Sequence, residues 1–430
     1  TQLLPTQFSP KKSYDLGSLI DLGLATNPST RSAWFQAKAA SATLAGSRAP
    51  YYPKIAGSAE ISADQWYSPA VASPDNYQRK QVRTFLSLEY LLLDFGRRAA
   101  DVDRTLALFN ASGLLYERQC QRVVFNIQRH YFAHEAALHQ QDASRAIADA
   151  TRTIAETIQR EVQTGLSATT ESLRAKKNQL QADAELASAN ALVQTTLGDL
   201  ALATGLPPNT PLLLRKPQFP KSTTSLLAKV DKLINLALAN RPDIQARTAE
   251  LRAHQAEVAA AQANFFPVIR LQGSLDAAAF QYQATGGKSH GSYREEPNGY
   301  TAFLTAKWDI FDGFERTEKL RKKRAEVASA SQDLQTAQLD ASRDVWVAYQ
   351  SYLTNIVRIQ SAEGFVAAAE ENFLSAKTSS ESGLLTIAEF SEATAQLALA
   401  HSTHATALAD YSTSLAALIF ATGTKKTASH

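Results

Sequence analysis

The sequence predicts a mixed fold, long α-helical hairpins plus two-faced β-strand hairpins, built as a tandem duplicate, and three observations predict it. Proline is confined: all fifteen prolines fall in residues 5–74, 207–220, 242–267 or at Pro297. That leaves 75–206 and 298–430 free of the residue that breaks helices. Motifs recur at a fixed spacing, since "LATNP" (Leu24 to Pro28) returns as "LANRP" (Leu238 to Pro242) and "YYP" as "FFP", both offset by 214. After each aromatic-proline motif the hydrophobic period also switches to strict alternation, the signature of a two-faced strand.

Composition permits this. The chain has 430 residues, 44% hydrophobic, with a formal charge of +3, so it can bury ample core and shows no basic bias toward nucleic acid. The single cysteine, Cys120, excludes an intrachain disulfide and lies too far into the chain to carry an N-terminal lipid. No run of 18 apolar residues marks a transmembrane helix. The chain opens at Thr1 without a charged and then apolar leader and contains no methionine, which fits a processed chain and says nothing against export.

Taken in order, the first helix has Asn27 as N-cap and Pro28 at its first position and runs to about Arg48. Alternation follows Pro53: Ile55, Gly57, Ala59, Ile61 and Ala63 share one face, and Lys54, Ser58, Glu60, Ser62 and Asp64 the other. "TFLSLEYLL" is its hairpin partner, closing a strand pair of about 53–94. A helix from about Arg97 to Gln163 then spans roughly 100 Å at about 1.5 Å per residue. Its return, about Thr169 to Thr204, covers only about 50 Å, and the preceding short helix supplies roughly 30 Å of the shortfall.

The second copy repeats the plan with Pro242 to Asn264, a strand pair of about 267–312, Glu315 to about Glu381 and Thr386 to about Ala421. Beyond the first hairpin the offset becomes 218, pairing Asp94 with Asp312, Arg98 with Arg316, Gly165 with Gly383 and "ATG" at Ala203 with "ATG" at Ala421. The organisation expected is a first unit over 1–206, a Pro-rich linker over 207–235, a second unit over 236–423 and a tail over 424–430.

Strands of about ten residues suit a tilted membrane span with one face to lipid and one to a lumen. An antiparallel sheet resting on a soluble core alternates in the same way, so alternation leaves both readings open. Four strands are too few to close a membrane barrel, and three chains would supply twelve.

Two tandem copies of helix, aromatic-aromatic-proline, strand hairpin, "DFGRR" or "FDGFER", and a helical hairpin with a glycine tip resemble the outer membrane efflux protein family over nearly the whole chain. The resemblance implies a homotrimer in which a twelve-strand outer-membrane barrel continues as a helical tunnel across the periplasm of a Gram-negative-type cell. It implies an exit duct for drugs or other small molecules, working with a periplasmic adaptor (membrane fusion) protein and an inner-membrane transporter. A type I protein secretion duct of the same fold is the alternative, and a soluble helical scaffold is the alternative from another class. No catalytic residue, cofactor or nucleic-acid partner is implied; outer-membrane lipid is.

Site residues follow from the same comparison. "QTGLSATTE" and "ESGLLTIAEFSE" are the hairpin tips, with Gly165 and Gly383 where a helix ends in a left-handed residue. In the family the second tip lines a constriction with acidic residues, and Glu389 and Glu392 match those positions. Six carboxylates in a trimer would concentrate cations. Thr386 and Glu389 also have the spacing of a capping box, a structural role that needs no pore. Thr170 and Glu171 match positions that hold the family's entrance shut, whereas Leu385 stands where an arginine partner is frequent. Tyr51, Tyr52, Phe265 and Phe266 are expected at the membrane interface, where aromatics are favoured.

The remaining motifs carry less. His130 and His134 are one turn apart but lack a third ligand, so a packed or solvated helix face is expected and no metal site. "RTEKLRKKR" (Arg316 to Arg324) suits anionic head groups or a charged solvated face. "YQATGGKSHGSYREEPNGY" (Tyr282 to Tyr300) is expected to be an extracellular loop. No phosphate loop, catalytic triad or paired-acid constellation stands out.

Overall fold

The computed structural model describes residues 8–68, 75–215, 229–285, 291–382 and 384–424. In chain order the elements are β1 (Ser13–Tyr14), α1 (Leu16–Thr26), α2 (Pro28–Ser47), a 3₁₀ turn (Ala49–Tyr51), β2 (Lys54–Ser68), β3 (Asp75–Leu93), α3 (Arg97–Gln163) and α4 (Thr169–Ala203). The second half holds β4 (Leu213–Leu214), α5 (Val230–Asn240), α6 (Pro242–Ala263), β5 (Val268–Thr285), β6 (Gly291–Glu295), β7 (Asn298–Lys307), α7 (Glu315–Glu381) and α8 (Ile387–Thr422). The chain divides into two units, each drawn from both repeats. One takes Thr1–Ala37, Ser112–Ala246 and Gln335–His430, and the other Lys38–Ala111 and Arg247–Leu334.

The first unit is built from helices around two cores. Leu19 and Leu22 of α1, Ile127 and Tyr131 of α3, and Leu200 of α4 form one. Val345, Tyr352 and Ile359 of α7 with Tyr411 and Leu418 of α8 form its counterpart. Each such side chain removed from water contributes about 1.5–3 kcal/mol, and alanines between them let the helices approach closely.

The "ATG" repeat has a structural cause in this unit. Gly205 (φ 83°) and Gly423 (φ 69°) each end a return helix in the left-handed conformation. A Cβ on Gly205 would lie 2.7 Å from the Asn27 Cα, and one on Gly423 would lie 2.9 Å from the Arg241 Cα. The return helix thus closes onto the residue before Pro28 or Pro242, and only glycine combines that conformation with that approach. Asn27 completes the joint by donating to the Ala203 carbonyl at 2.8 Å, while its Oδ1 accepts from the Ser29 N–H at 2.9 Å.

The second unit carries an antiparallel sheet in the order β2, β3, β5, with β6 and β7 both pairing along β5. β6 and β7 act as one fourth strand interrupted at Glu296 and Pro297, because proline has no N–H to give the ladder.

Two expectations need correction. The segment Tyr282 to Tyr300 is mostly strand: β5 continues to Thr285 and β6 and β7 occupy Gly291–Glu295 and Asn298–Lys307, so only residues 286–290 of that stretch lie outside the described residues. The second strand pair, expected to run to about 312, ends at Lys307, which leaves Trp308 and Ile310 beyond it. Part of the linker also folds, since β4 pairs in parallel with β1 and α5 begins at Val230; residues 216–228 lie outside the described residues.

Candidate functional site

Three surfaces carry the chemistry this fold can offer: the sheet, the turn from strand to helix, and the hairpin tips. On the sheet, the register places Asp64 opposite Arg79 and Arg79 opposite Tyr282. Ion pairs line this polar face: Arg79 to Asp64 at 2.6 Å, Arg83 to Asp276 at 2.8 Å and Arg270 to Glu89 at 3.5 Å. The other face carries Ile55, Ile61, Leu86, Leu275 and Leu304.

None of these apolar side chains joins either hydrophobic core, and Ile61 is 82% exposed and Leu304 64%. A sheet on a soluble core would bury that face, so the soluble-sheet reading does not hold here. Among the described residues β2 pairs only with β3, and β6 and β7 only with β5, leaving two open edges. No described helix is long and apolar enough to cross a membrane.

The strand-to-helix turn is built twice from the same parts. Asp94 accepts from the backbone N–H of Arg98 at 2.8 Å and from its Nε at 3.1 Å; Asp312 does the same for Arg316 at 3.2 and 2.6 Å. Each guanidinium lies over the first aromatic of the proline motif, Arg98 over Tyr51 at 4.8 Å and Arg316 over Phe265 at 5.5 Å. Phe95 (φ 51°) and Phe314 (φ 70°) adopt left-handed backbone here, an uncommon conformation held by the surrounding bonds.

Tyr51, Tyr52 and Phe266 are exposed, Phe265 is half-buried, and Phe95 stacks on Phe266 at 5.1 Å. Sequence reading gave no role to Phe95, Phe311 and Phe314, all exposed around the same turns, and placed Trp308, also exposed, within the strand. Trp308 donates from Nε1 to the Phe265 carbonyl at 3.1 Å. The two turns share the Asp and Arg at one offset but not these aromatics, since Phe95 falls on Gly313 and Phe314 on Gly96, so the repeat gave no signal for them.

At the first tip, the Gly165 N–H donates to Val162 at 3.1 Å and the Leu166 N–H to Glu161 at 2.8 Å, with Gly165 at φ 78°. This pair of bonds satisfies carbonyls that the helix end leaves free. Thr170 and Glu171 are exposed, and Glu171 pairs with Arg174 of its own helix at 3.5 Å. The bond that ties α3 to α4 here is another, from Ser172 Oγ to Gln159 Oε1 at 2.6 Å.

At the second tip the capping box is formed. The Thr386 N–H donates to Glu389 Oε2 at 2.9 Å, and the Glu389 N–H donates to Thr386 Oγ1 at 3.2 Å. The backbone bond, and then the Thr386 hydroxyl donating to Glu389 Oε2 at 2.8 Å, hold the Glu389 carboxyl below its ordinary value. Glu392 is exposed and accepts from Gln396 Nε2 at 2.9 Å. Leu385 is half-buried, and Gly383 lies outside the described residues.

Other polar clusters have structural partners. His134 is buried and meets Thr196 Oγ1 at 3.0 Å. Its neighbour Glu135 is 4% exposed, and burial pushes its carboxyl up to about 7. His254, Glu257 and Glu326 come close enough to hold a cation, but Lys323 bonds both carboxylates at 2.8 Å and fills that role. In the basic run after β7, Lys319 pairs with Glu315, Arg321 with Glu318 and Lys322 with Glu326, which makes it a largely neutralised helix face.

With this geometry in hand, comparison with known proteins is informative. The family model described as outer membrane efflux protein matches residues 19–206 and again 233–424. Protein CyaE of Bordetella pertussis is 26% identical over 333 residues, 77% of this chain and 67% of that protein. A membrane protein from Pseudomonas aeruginosa superimposes with a TM-score of 0.76 at 24% identity, over 95% of this chain and 93% of that one. The outer membrane protein VceC of Vibrio cholerae gives 0.73 at 18% identity, over 95% and 96%.

Proposed function

The chain belongs to the outer membrane efflux protein family, and from that premise we propose that three copies form a passive exit duct for drugs or other small molecules. Its place is the outer membrane, with extension into the periplasm. One observation carries the reading: a four-strand sheet that leaves its apolar face uncovered and both edges open. Such a sheet needs lipid on that face and further strands on its edges, and three copies supply the twelve strands of a barrel with a conducting lumen.

In this duct the ion-paired face lines the lumen. Turns anchored by Arg98 and Arg316 set the aromatics at the membrane boundary, where rings with a polar neighbour are favoured. The hairpin tips form the periplasmic entrance, with Glu392 from three copies facing the axis and Glu389 serving chiefly as a cap. A latch built on an arginine is absent because Leu385 stands there, so the entrance is held by helix packing with Thr170 and Glu171 at its rim. Leu166 and Leu384, exposed at matching positions of the two tips, offer apolar contacts to a periplasmic adaptor that couples the duct to an inner-membrane transporter.

Native mass with and without mild detergent tests this. The expected species is about three times 46.7 kDa and soluble only with detergent. A monodisperse monomer in plain buffer would overturn the shared barrel.

A further inference from the structure

The polar face of the sheet carries a cation that the sheet leaves unused. Lys54 opens β2 opposite Glu89 of β3, but Glu89 pairs with Arg270 of β5 at 3.5 Å. Among the described residues the exposed Lys54 side chain makes no ion pair or hydrogen bond. The repeat shows that the fold does not demand this lysine. Val268 stands at the place of Lys54, and Lys307, at the place of Glu89, has a carboxylate of its own in Asp309 at 3.6 Å. The surplus charge is a property of the first repeat.

Lys54, Glu89, Arg270 and Tyr52 line a cavity of about 560 Å³ whose remaining wall is apolar, supplied by the 3₁₀ turn, Pro53 and Leu91. Such a volume, with an apolar wall and a few charged groups, suits a drug-sized molecule. The two sides of the cavity are fixed to each other, because Arg98 donates to the Pro50 carbonyl at 3.2 Å and to the Leu91 carbonyl at 2.7 Å. Turn and strand end therefore keep their spacing without a ligand, which spares part of the cost of ordering a site. Tyr52, 71% exposed, offers its ring to a flat apolar body.

Two cations against one carboxylate set the charge of the occupant. Arg270 and Glu89 satisfy each other, and Lys54 is left to be matched. We propose that this cavity is a resting site for cargo on the wall of the duct and that it selects organic anions, molecules with a carboxylate on an apolar or aromatic body. The carboxylate accepts a charge-assisted hydrogen bond from the Lys54 ammonium, and the body lies against Tyr52 and the apolar wall. A cationic molecule of the same shape meets like charge there and is disfavoured. The inference rests on the reading of the ion-paired face as lumen wall, which turns the cavity toward the conducted solution and away from lipid.

The test uses the full chain in phospholipid nanodiscs and titration calorimetry, with the heat of empty discs subtracted. The probes are naphthylacetate and its uncharged analogue naphthylethanol. The acid is expected to bind about tenfold more tightly than the alcohol, the size of one charge-assisted hydrogen bond. Lys54→Gln is expected to erase that difference and leave the affinity for the alcohol unchanged, and Lys54→Arg to keep it. Glu89→Gln removes the opposing carboxylate and should tighten the acid severalfold but not the alcohol, a gain that damage to the fold does not produce. Equal affinity for acid and alcohol in the native chain, or a preference for the acid that survives Lys54→Gln, overturns the site and leaves the duct standing. If the acid is preferred but the native mass is that of a monomer in plain buffer, the duct reading falls and the cargo role of the cavity falls with it.

Discussion

The guanidinium of Arg98 lies 4.8 Å from the ring centroid of Tyr51, and the same group donates to the carbonyls of Pro50 and Leu91 at 3.2 and 2.7 Å. One side chain thus ties the start of α3, the 3₁₀ turn that precedes β2 and the end of β3 to a single point. Asp94, 6% exposed, is its counter-ion. Arg98→Ala strands that carboxylate, and breaking a buried pair from one side costs about 3 kcal/mol. Thermal unfolding in detergent should show the loss, with Arg98→Lys intermediate because lysine keeps the charge without the planar fork. A melting temperature unchanged in the alanine variant would show that the turn does not depend on this contact.

The exposed face of the sheet gives the sharpest separation of membrane from water. Ile61→Arg adds a charge where the native side chain is already 82% exposed. On a protein surface in water the effect stays within about 0.5 kcal/mol, whereas on the lipid face near the bilayer midplane it costs about 2–4 kcal/mol. Folding equilibria in lipid vesicles distinguish the two, and a neutral result would remove lipid from that face.

Glu135 makes stability depend on pH in a direction opposite to most carboxylates. Its carboxyl is pushed up to about 7 by burial, above the value of 4.5 it would otherwise have. A raised folded value means that the stabilising contribution is fully present below about 4.5 and is lost as pH rises through about 7. Glu135→Gln should therefore match the native protein at pH 5 and exceed it in stability at pH 8. His134, whose imidazole burial pushes down, is common to both proteins and cancels in the comparison. Equal stability of the two at pH 8 would mean that Glu135 finds a compensating partner.

Much of this was legible because duplication gives each reading a second witness. The ends of α3 and α7 follow from the confined prolines and the Asp-Arg turns on their N-terminal side. The short helix α1 escaped notice at 11 residues, although Asp15 and Ser18 form a capping box that could have announced it. Residues 291–295 read as loop from the glycines and aromatics of their segment, yet they pair with β5, where Tyr293 stacks on Tyr282 at 4.8 Å. Cross-strand pairing outweighed local propensity there, as it often does in sheets. The aromatic-proline motif was read as a membrane marker, but its arginine clamp joins Tyr51 to a residue far along the chain, and no local pattern reveals such a contact. At the second tip two roles for Glu389 stayed open in the sequence, and the capping box favours one of them.

That choice separates two glutamates three residues apart. Glu389 is bonded to Thr386 through its backbone and hydroxyl, which holds its carboxyl low, so its contribution to the helix start is present above about 4.5 and is lost as pH falls through the lower folded value. Thr386→Val removes the hydroxyl that accepts from the Glu389 N–H; loss of such a cap weakens the helix start by about 1 kcal/mol, roughly a fivefold faster hydrogen exchange at residues 387–390. Ion selectivity in planar bilayers should not change with it. Glu392→Gln leaves the cap intact and, in the proposed duct, removes a charge from the entrance, so cation selectivity and block by divalent ions should both fall. Adding Glu389→Gln should then deepen the loss only slightly. If Glu392→Gln conducts with unaltered selectivity while the double variant does not, Glu389 is the pore carboxylate and the cap is its holder; if neither changes, the constriction lies elsewhere along the duct.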